Sequence, residues 1–321
     1  MMDDCHIEGT SDMYGLGIRL GYYLQWYSSI LAIFLAPSEV PNLRFMTELF
    51  IAATFLATVI LTIEDVNRLK FVEKYIILLQ IFGTYLGFVP LYLLEYAVRQ
   101  ASSAASTRVL NLGLRAARPS LPLFMGAAVY WGWLWVREGK DHSPRKCPEY
   151  VFLMARIQFD HEASYFINCT IVLILGPICM ALALETVRRI CRNKAATENL
   201  FESLTKAELA RIRRLWNLHG VVKLAIAVIV TIAIELTIFW NKIEGVNTLS
   251  GAGQTIPFVT GVGALVRVLY VHFFRRPFGS SVEDDSARLY GESEANAWQQ
   301  LSGAQFYHHP NRPLESGCVD A

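Results

Sequence analysis

The chain has 321 residues, a formal net charge of +1, 53% hydrophobic and 12% aromatic residues, and a mean hydropathy of +0.33. A near-neutral charge argues against nucleic acid as a partner, and the apolar excess argues against an ordinary water-soluble domain. Six dispersed cysteines with no C-x-x-C, and no His or Cys pairing at zinc spacing, leave metal and cofactor binding without a motif.

Apolar stretches of about 18 to 23 residues recur along the chain, the length a helix needs to cross about 30 Å of hydrocarbon. Seven such spans are expected, near 14–36, 45–63, 75–97, 119–136, 165–187, 221–241 and 256–274. The fold class read from them is all-α, a polytopic transmembrane helical bundle. Ahead of the first span, the tail 1–13 is acidic (Asp3, Asp4, Glu8, Asp12) and carries no Lys or Arg, which does not fit a cleavable signal peptide.

The first span carries Gly17 and Gly21 on either side of Arg19, and the third carries Gly83 and Gly87; small residues four apart suit close helix packing within the chain. In the fourth, VYWGWLWV (129–136) assigns Tyr130, Trp131, Trp133 and Trp135 to an interfacial aromatic belt. The loop 137–164 then mixes charge with Pro144, Cys147 and Pro148 before YVFLMARIQF (150–159), too short to span and read as resting at the outer interface. The fifth span contains Gly176-Pro177. Pro90, Pro177 and Pro257 are expected as kinks, which neighbouring helices make tolerable in a membrane.

Between the fifth and sixth spans, 188–220 is the largest connection. Thr205-Lys206-Ala207-Glu208 reads as a capping box, after which Leu209, Ile212 and Trp216 share a helical face beside Arg211, Arg213 and Arg214. This basic amphipathic helix is expected on the inner leaflet, or as a docking helix for a cytosolic protein through 205–217. The run 240–271 holds five glycines but neither a G-x-G-x-x-G fingerprint nor a Gly-Lys-Ser or Gly-Lys-Thr, so it is not a nucleotide loop. Residues 242–255 read as a tight outer turn, Pro257 as part of the first turn of the last span, and Gly261 and Gly263 as points where another helix presses close. The polar tail from 277 to 321 reads as disordered.

Positive charge sets the orientation. With the N-terminus outside, 17 of the 29 Lys and Arg residues fall in the cytosolic segments 37–44, 98–118, 188–220 and 275–321, against 9 in the outer ones. The C-terminus is then cytosolic. Cys5 and Cys147 share the outer side, where both a disulfide and unpaired thiols stay open, and Cys191 is a palmitoylation candidate on the inner side.

Ionisable groups inside the bilayer cost about 2.5 to 3.5 kcal/mol each on insertion scales, so each needs a partner. Arg19 and Glu235 sit at matching depths, roughly 8 to 9 Å from the outer end of their spans, and form one candidate pair. Arg267 lies deeper and has Glu48 as candidate partner, or snorkels. The pairs serve either a solute or the choice of neighbouring helices. Asn241 and Gln254, with Asn247, Thr248 and Ser250, either line a solute entrance at the outer mouth or form a polar surface turn. His219 and His272 read as interfacial.

YGLGIRLGYYLQW (14–26), LLQIFG (78–83) and NKIEGVNTLSGAGQTIPFVTGVGALVRVLY (241–270) resemble a set of uncharacterised multi-pass membrane proteins of filamentous fungi. The resemblance spans most of 14–276, implies a seven-helix membrane protein, and transfers no catalytic residue. No H-E-x-x-H or G-x-S-x-G motif points to an enzyme: His161-Glu162 continues as Ala-Ser-Tyr. The expectation is a non-enzymatic integral membrane protein of unassigned role. Two alternatives are a receptor or signalling protein using 205–217, and a small-solute transporter or channel using Arg19 and Glu235.

Overall fold

A computed structural model describes residues 7–65, 68–86, 121–138, 148–152, 155–158, 206–249 and 251–274. The expected span 165–187, Cys5, Cys147, Cys191, Gly87, Pro90, Pro177 and the tail lie outside these residues. In chain order the elements are β1 (Ile7–Glu8), α1 (Ser11–Tyr14), α2 (Leu16–Leu35), a 3-10 turn (Pro37–Glu39), α3 (Val40–Glu64), α4 (Phe71–Leu86), α5 (Leu121–Glu138), β2 (Tyr150–Phe152), β3 (Arg156–Gln158), α6 (Lys206–Trp240), β4 (Ile243–Glu244) and α7 (Ala252–Phe274).

The described chain is mostly helical, and three helices, Pro37–Glu64, Asn217–Trp240 and Ala252–Phe274, are long and apolar enough to cross a membrane. Their outward faces are apolar: Leu56, Ile60 and Ile63 on α3, Ile232 and Phe239 on α6, and Ile256, Val259 and Phe273 on α7 are all exposed. Contiguous exposed apolar surface on several long helices suits lipid better than water.

α2 is the hub. It runs antiparallel to α3 through Tyr22–Thr54 (2.9 Å) and antiparallel to α6 through Tyr27–Thr231 (3.2 Å) and Phe34 on Gly220. It runs parallel to α7, with Gly17 against Gln254 and Gly21 against Pro257 and Gly261. Being enclosed lets α2 carry Arg19, Gln25 and Ser28 fully or nearly buried in an otherwise apolar neighbourhood. Gly17 and Gly21 are required there because a Cβ on Gly21 would stand 2.5 Å from the Pro257 carbonyl oxygen. Gly261 meets the same contact from the other side; Gly263, also expected to receive a helix, has nothing within 4 Å.

Several expectations are corrected. Trp131 and Trp135 are core residues, not an interfacial belt: α5 wedges between α3 and α4, placing Trp135 edge-on to Phe71 (5.0 Å between ring centres) and Trp131 edge-on to Phe82 (5.5 Å). Only Trp133, on the opposite side of the helix, is exposed among these three tryptophans. The expected helix at 205–217 is not separate over its described residues 206–217, since Lys206–Trp240 is one unbroken helix of 35 residues. At 1.5 Å per residue it is about 52 Å long, well beyond the hydrocarbon thickness, so its first turns project past the span. Gly220 does not break it because Phe34 covers that position. Pro257 is the sixth residue of α7, not in its first turn, and is buried against α2.

The all-α reading also misses a small strand cap. β1 pairs in parallel with β4, and β2 pairs antiparallel with β3 within the stretch 150–159 expected to rest at the interface. Gly9 N donates to Glu244 O at 3.0 Å, and the turn that follows uses Gly245 (φ 78°) and Gly251 (φ 106°), backbone angles that favour glycine. Glu73, in the first turn of α4, accepts from Thr10 N (2.9 Å), Tyr14 Oη (2.9 Å) and Lys70 N (2.8 Å), and Glu149 accepts from Val72 N (3.1 Å). Two carboxylates thus satisfy free N–H groups at one helix start, where the helix dipole favours negative charge. The same bonds draw residues 7–10, 70–73, 148–152 and 241–246 to one end of the bundle.

Candidate functional site

Two polar clusters lie along α2. The first is at the strand end. Arg19, completely buried, donates to Glu235 Oε2 (2.9 Å), to Asn247 Oδ1 (2.8 Å) and to the Val246 carbonyl (3.2 Å). Tyr23 Oη donates to the second Glu235 oxygen at 2.8 Å. One turn separates Arg19 from Tyr23 on α2, so both face Glu235 on α6. Glu235 keeps 46% of its side chain exposed, at the border between the packed and the outward faces of α6. The pair therefore joins α2, α6 and the β4 turn in one knot.

Asn241 and Gln254, expected at the outer mouth as a solute entrance or a polar surface turn, are buried ties. The Asn241 side-chain amide mimics a neighbouring strand: Oδ1 accepts from Tyr150 N (2.8 Å), while Nδ2 donates to Tyr150 O (2.7 Å) and Thr237 O (2.7 Å). Gln254 Oε1 accepts from Gly17 N at 3.4 Å where α7 presses on α2. Their polarity serves backbone groups that packing removes from water.

Arg267 does not pair with Glu48. Its Nε donates to Glu39 Oε2 at 2.6 Å, because the 3-10 turn after α2 brings Glu39 beside the parallel helix α7. Arg267 is half exposed while Glu39 is buried, so the arginine covers a carboxylate at the end of the bundle remote from the strands. His272 Nδ1 lies 3.2 Å from the Leu35 carbonyl in the same region.

Glu48 belongs to the second cluster, a partly open cavity of about 60 Å³ among α2, α3, α4 and α6 on the half of the bundle away from the strands. Its polar lining comes from Ser29 on α2, Arg44, Thr47 and Glu48 on α3, Thr84 and Tyr85 on α4, and His219 and Lys223 on α6, while Trp26, Ile30 and Ile33 of α2 are its main apolar side chains. The spacing explains the convergence. Arg44 and Glu48 are one turn apart, as are His219 and Lys223, and each pair presents both groups on one side of its helix. Gly83 admits the Trp26 ring, which would stand 2.6 Å from a Cβ there, and so shapes the chamber wall.

His219, expected at an interface, is 4% exposed inside this chamber. Arg44, Lys223, Thr84 and Tyr85 carried no distinct sequence signal. Each basic residue sits near a span end, where a lone cation usually snorkels. The detectable clue was the pair of charges one turn apart on each of two helices.

Between the two clusters, Gln25, Ser28 and Gln80 are buried, and among the described residues their side-chain polar atoms make no hydrogen bond. Polar groups thus recur along α2 from Arg19 toward the cavity. Among the described residues there is no group of three His, Cys, Asp or Glu side chains arranged to hold a metal ion. No protein-family model, curated protein or solved structure matches the chain.

Proposed function

We propose that the protein is a seven-crossing membrane protein that moves a small solute, with the chamber around Lys223 as its binding site and the Arg19–Glu235 pair as its closure toward the strand end. The chamber carries this reading: four ionisable side chains from two helices turn into one cavity near the ends of their spans, where lone charged groups ordinarily reach out to the interface. The buried polar groups between chamber and ion pair give the solute or its ions intermediate contacts. The strand cap supports the crossing number, because it gathers segments separated each time by two spans of the expected seven. On the distribution of Lys and Arg, that end is outside and the C-terminus is cytosolic.

The test is reconstitution of the full chain in sealed liposomes with a panel of small labelled ions and a pH-sensitive dye. Uptake lost in both Lys223→Gln and Glu235→Gln, with insertion unchanged, is the expected result. Permeability equal to that of empty liposomes for every solute overturns the proposal. A second, signalling reading has one observation in its favour: α6 connects Glu235 at the strand end to 206–217 beyond the span without a break. It expects a cytosolic protein that co-purifies only when 205–217 is intact.

A further inference from the structure

We infer that the chamber is a water-filled crevice open to the aqueous phase at the end of the bundle away from the strands, that it binds water on Tyr85 and Trp26, and that Trp26 wedged against Gly83 is its floor. This rests on the reading of the chamber as a solute site inside a membrane and names the phase from which that site is reached.

The rim comes first. Ser29, Arg44, Glu48, Thr84 and Lys223 are half-buried, whereas Trp26, Thr47, Tyr85, His219 and Ala227 are buried, so the lining grades from an accessible polar edge to a covered interior. An accessible edge of charged and hydroxyl groups is costly against hydrocarbon, and a membrane protein keeps such groups where they line a water-filled space.

The interior gives an independent indication. Tyr85 Oη, on a side chain 1% exposed, and Trp26 Nε1, on one 4% exposed, make no hydrogen bond among the described residues, and neither does Thr84 Oγ1 next to Tyr85 on α4. Buried polar groups left unsatisfied are costly, and water relieves them at the smallest steric demand. An internal water needs about 10–15 Å³ and roughly two to four polar partners; the cavity of about 60 Å³ offers both. Larger cavities with purely apolar walls stay dry, so the orphaned groups, not the volume, draw water in.

Shape sets the floor. A Cβ on Gly83 would stand 2.6 and 2.7 Å from ring carbons of Trp26 and 3.1 Å from Val230, so α2, α4 and α6 meet at this level. Gln80, one turn further along α4 toward the strands, is fully buried and does not line the chamber.

Hydroxyl-radical footprinting by X-ray radiolysis of the full chain in lipid nanodiscs, read by mass spectrometry, tests this separately from transport, because the radicals form from water beside the residue they oxidise. Each target has a comparison of its own residue type. Trp131 is 6% exposed with its Nε1 equally unbonded but lies outside the chamber, and Tyr75 is 2% exposed with its hydroxyl donating to the Phe152 carbonyl. Trp26 is expected to be oxidised several-fold faster than Trp131, and Tyr85 several-fold faster than Tyr75. Equal rates within each pair overturn the inference. In a background without the native cysteines, Ser29→Cys and Thr84→Cys should react with a membrane-impermeant methanethiosulfonate, which needs a thiolate and hence water, and Gln80→Cys should not. Protection of both rim cysteines overturns the opening, and equal reaction of Gln80→Cys and Thr84→Cys overturns Trp26 as the floor. Solute flux with Trp26 and Tyr85 protected overturns this inference while transport stands by another route. Fast oxidation of both without flux of any solute supports it and overturns transport alone.

Discussion

The closest helix contact among the described residues, α2 on α7, gives a prediction with an internal control. Gly21→Ala puts a methyl group 2.5 Å from the Pro257 carbonyl oxygen and 2.6 Å from its carbon, both backbone atoms that no rotamer change can move. Relief requires the two helices to separate, and overpacking of this kind costs about 1–3 kcal/mol. Alanine also gains up to about 1 kcal/mol over glycine in helix propensity, which partly masks the clash. Gly263→Ala has the same propensity gain in α7 with nothing within 4 Å of the new methyl, so the difference between the two variants isolates the contact. Thermal unfolding of both in the same detergent should place Gly21→Ala below Gly263→Ala by about 1–3 kcal/mol, with Gly263→Ala at or above wild type. Equal stabilities, or loss in Gly263→Ala alone, would refute the parallel packing of α2 on α7.

Arg19→Ala leaves a partly buried Glu235 with only Tyr23, and Glu235→Ala leaves a fully buried guanidinium facing Asn247 and a carbonyl; breaking a buried pair costs about 3–5 kcal/mol. Each single variant should therefore lose folded yield in fluorescence-detected size exclusion, the Glu235 variant more, and the swap Arg19→Glu with Glu235→Arg should recover part of it; strictly additive losses would remove the pairing. Asn241→Ala deletes three hydrogen bonds of 2.7 to 2.8 Å and should release the strand segment 150–158 to limited proteolysis at a cost of about 1–3 kcal/mol, while cleavage unchanged from wild type would show the tie to be dispensable. Trp131→Ala, within the aromatic stack of α4 and α5, should cost about 3–5 kcal/mol in thermal unfolding, whereas Trp133→Ala, on the exposed side, should cost less than about 1; similar losses would restore the interfacial belt.

The helices were legible where apolar residues run long. α3 and α7 each match an expected span to within five residues at either end, and α2 to within two. Arg19 and Glu235 were legible for a related reason: a charge deep in a greasy run is expensive, and equal depth on two helices names the partner. The same logic failed for Arg267, because Glu39 lies in the 3-10 turn just outside any span and was never a candidate. It failed again for the chamber. Arg44, Glu48, His219 and Lys223 each have an unremarkable position near the end of an expected span, and only the packing of α3 and α6 on α2 brings them to one cavity.

The tryptophans of α5 show a further ambiguity. An aromatic cluster near the end of an apolar run has the same composition whether it meets the membrane interface or a neighbouring helix, and here the core positions Trp131 and Trp135 are four apart while Trp133 points away. The strand cap escaped notice because its strands are two or three residues long, too short for an alternating pattern to register. Asn241 and Gln254 were visible as polar residues at a helix boundary, but their role depends on backbone groups from β2 and α2 that sequence does not place.

The claim on which the rest depends is that the strand cap and the start of α6 lie on opposite sides of a bilayer. Single cysteines at Glu8, Arg156, Glu244 and Arg214, all exposed positions, in a background with the six native cysteines replaced, can be labelled with a membrane-impermeant maleimide in sealed, oriented vesicles. The account predicts that the first three react together from the outer face and that Arg214→Cys reacts only after the membrane is opened. Labelling of Glu8→Cys and Arg214→Cys from the same side of intact vesicles would contradict it.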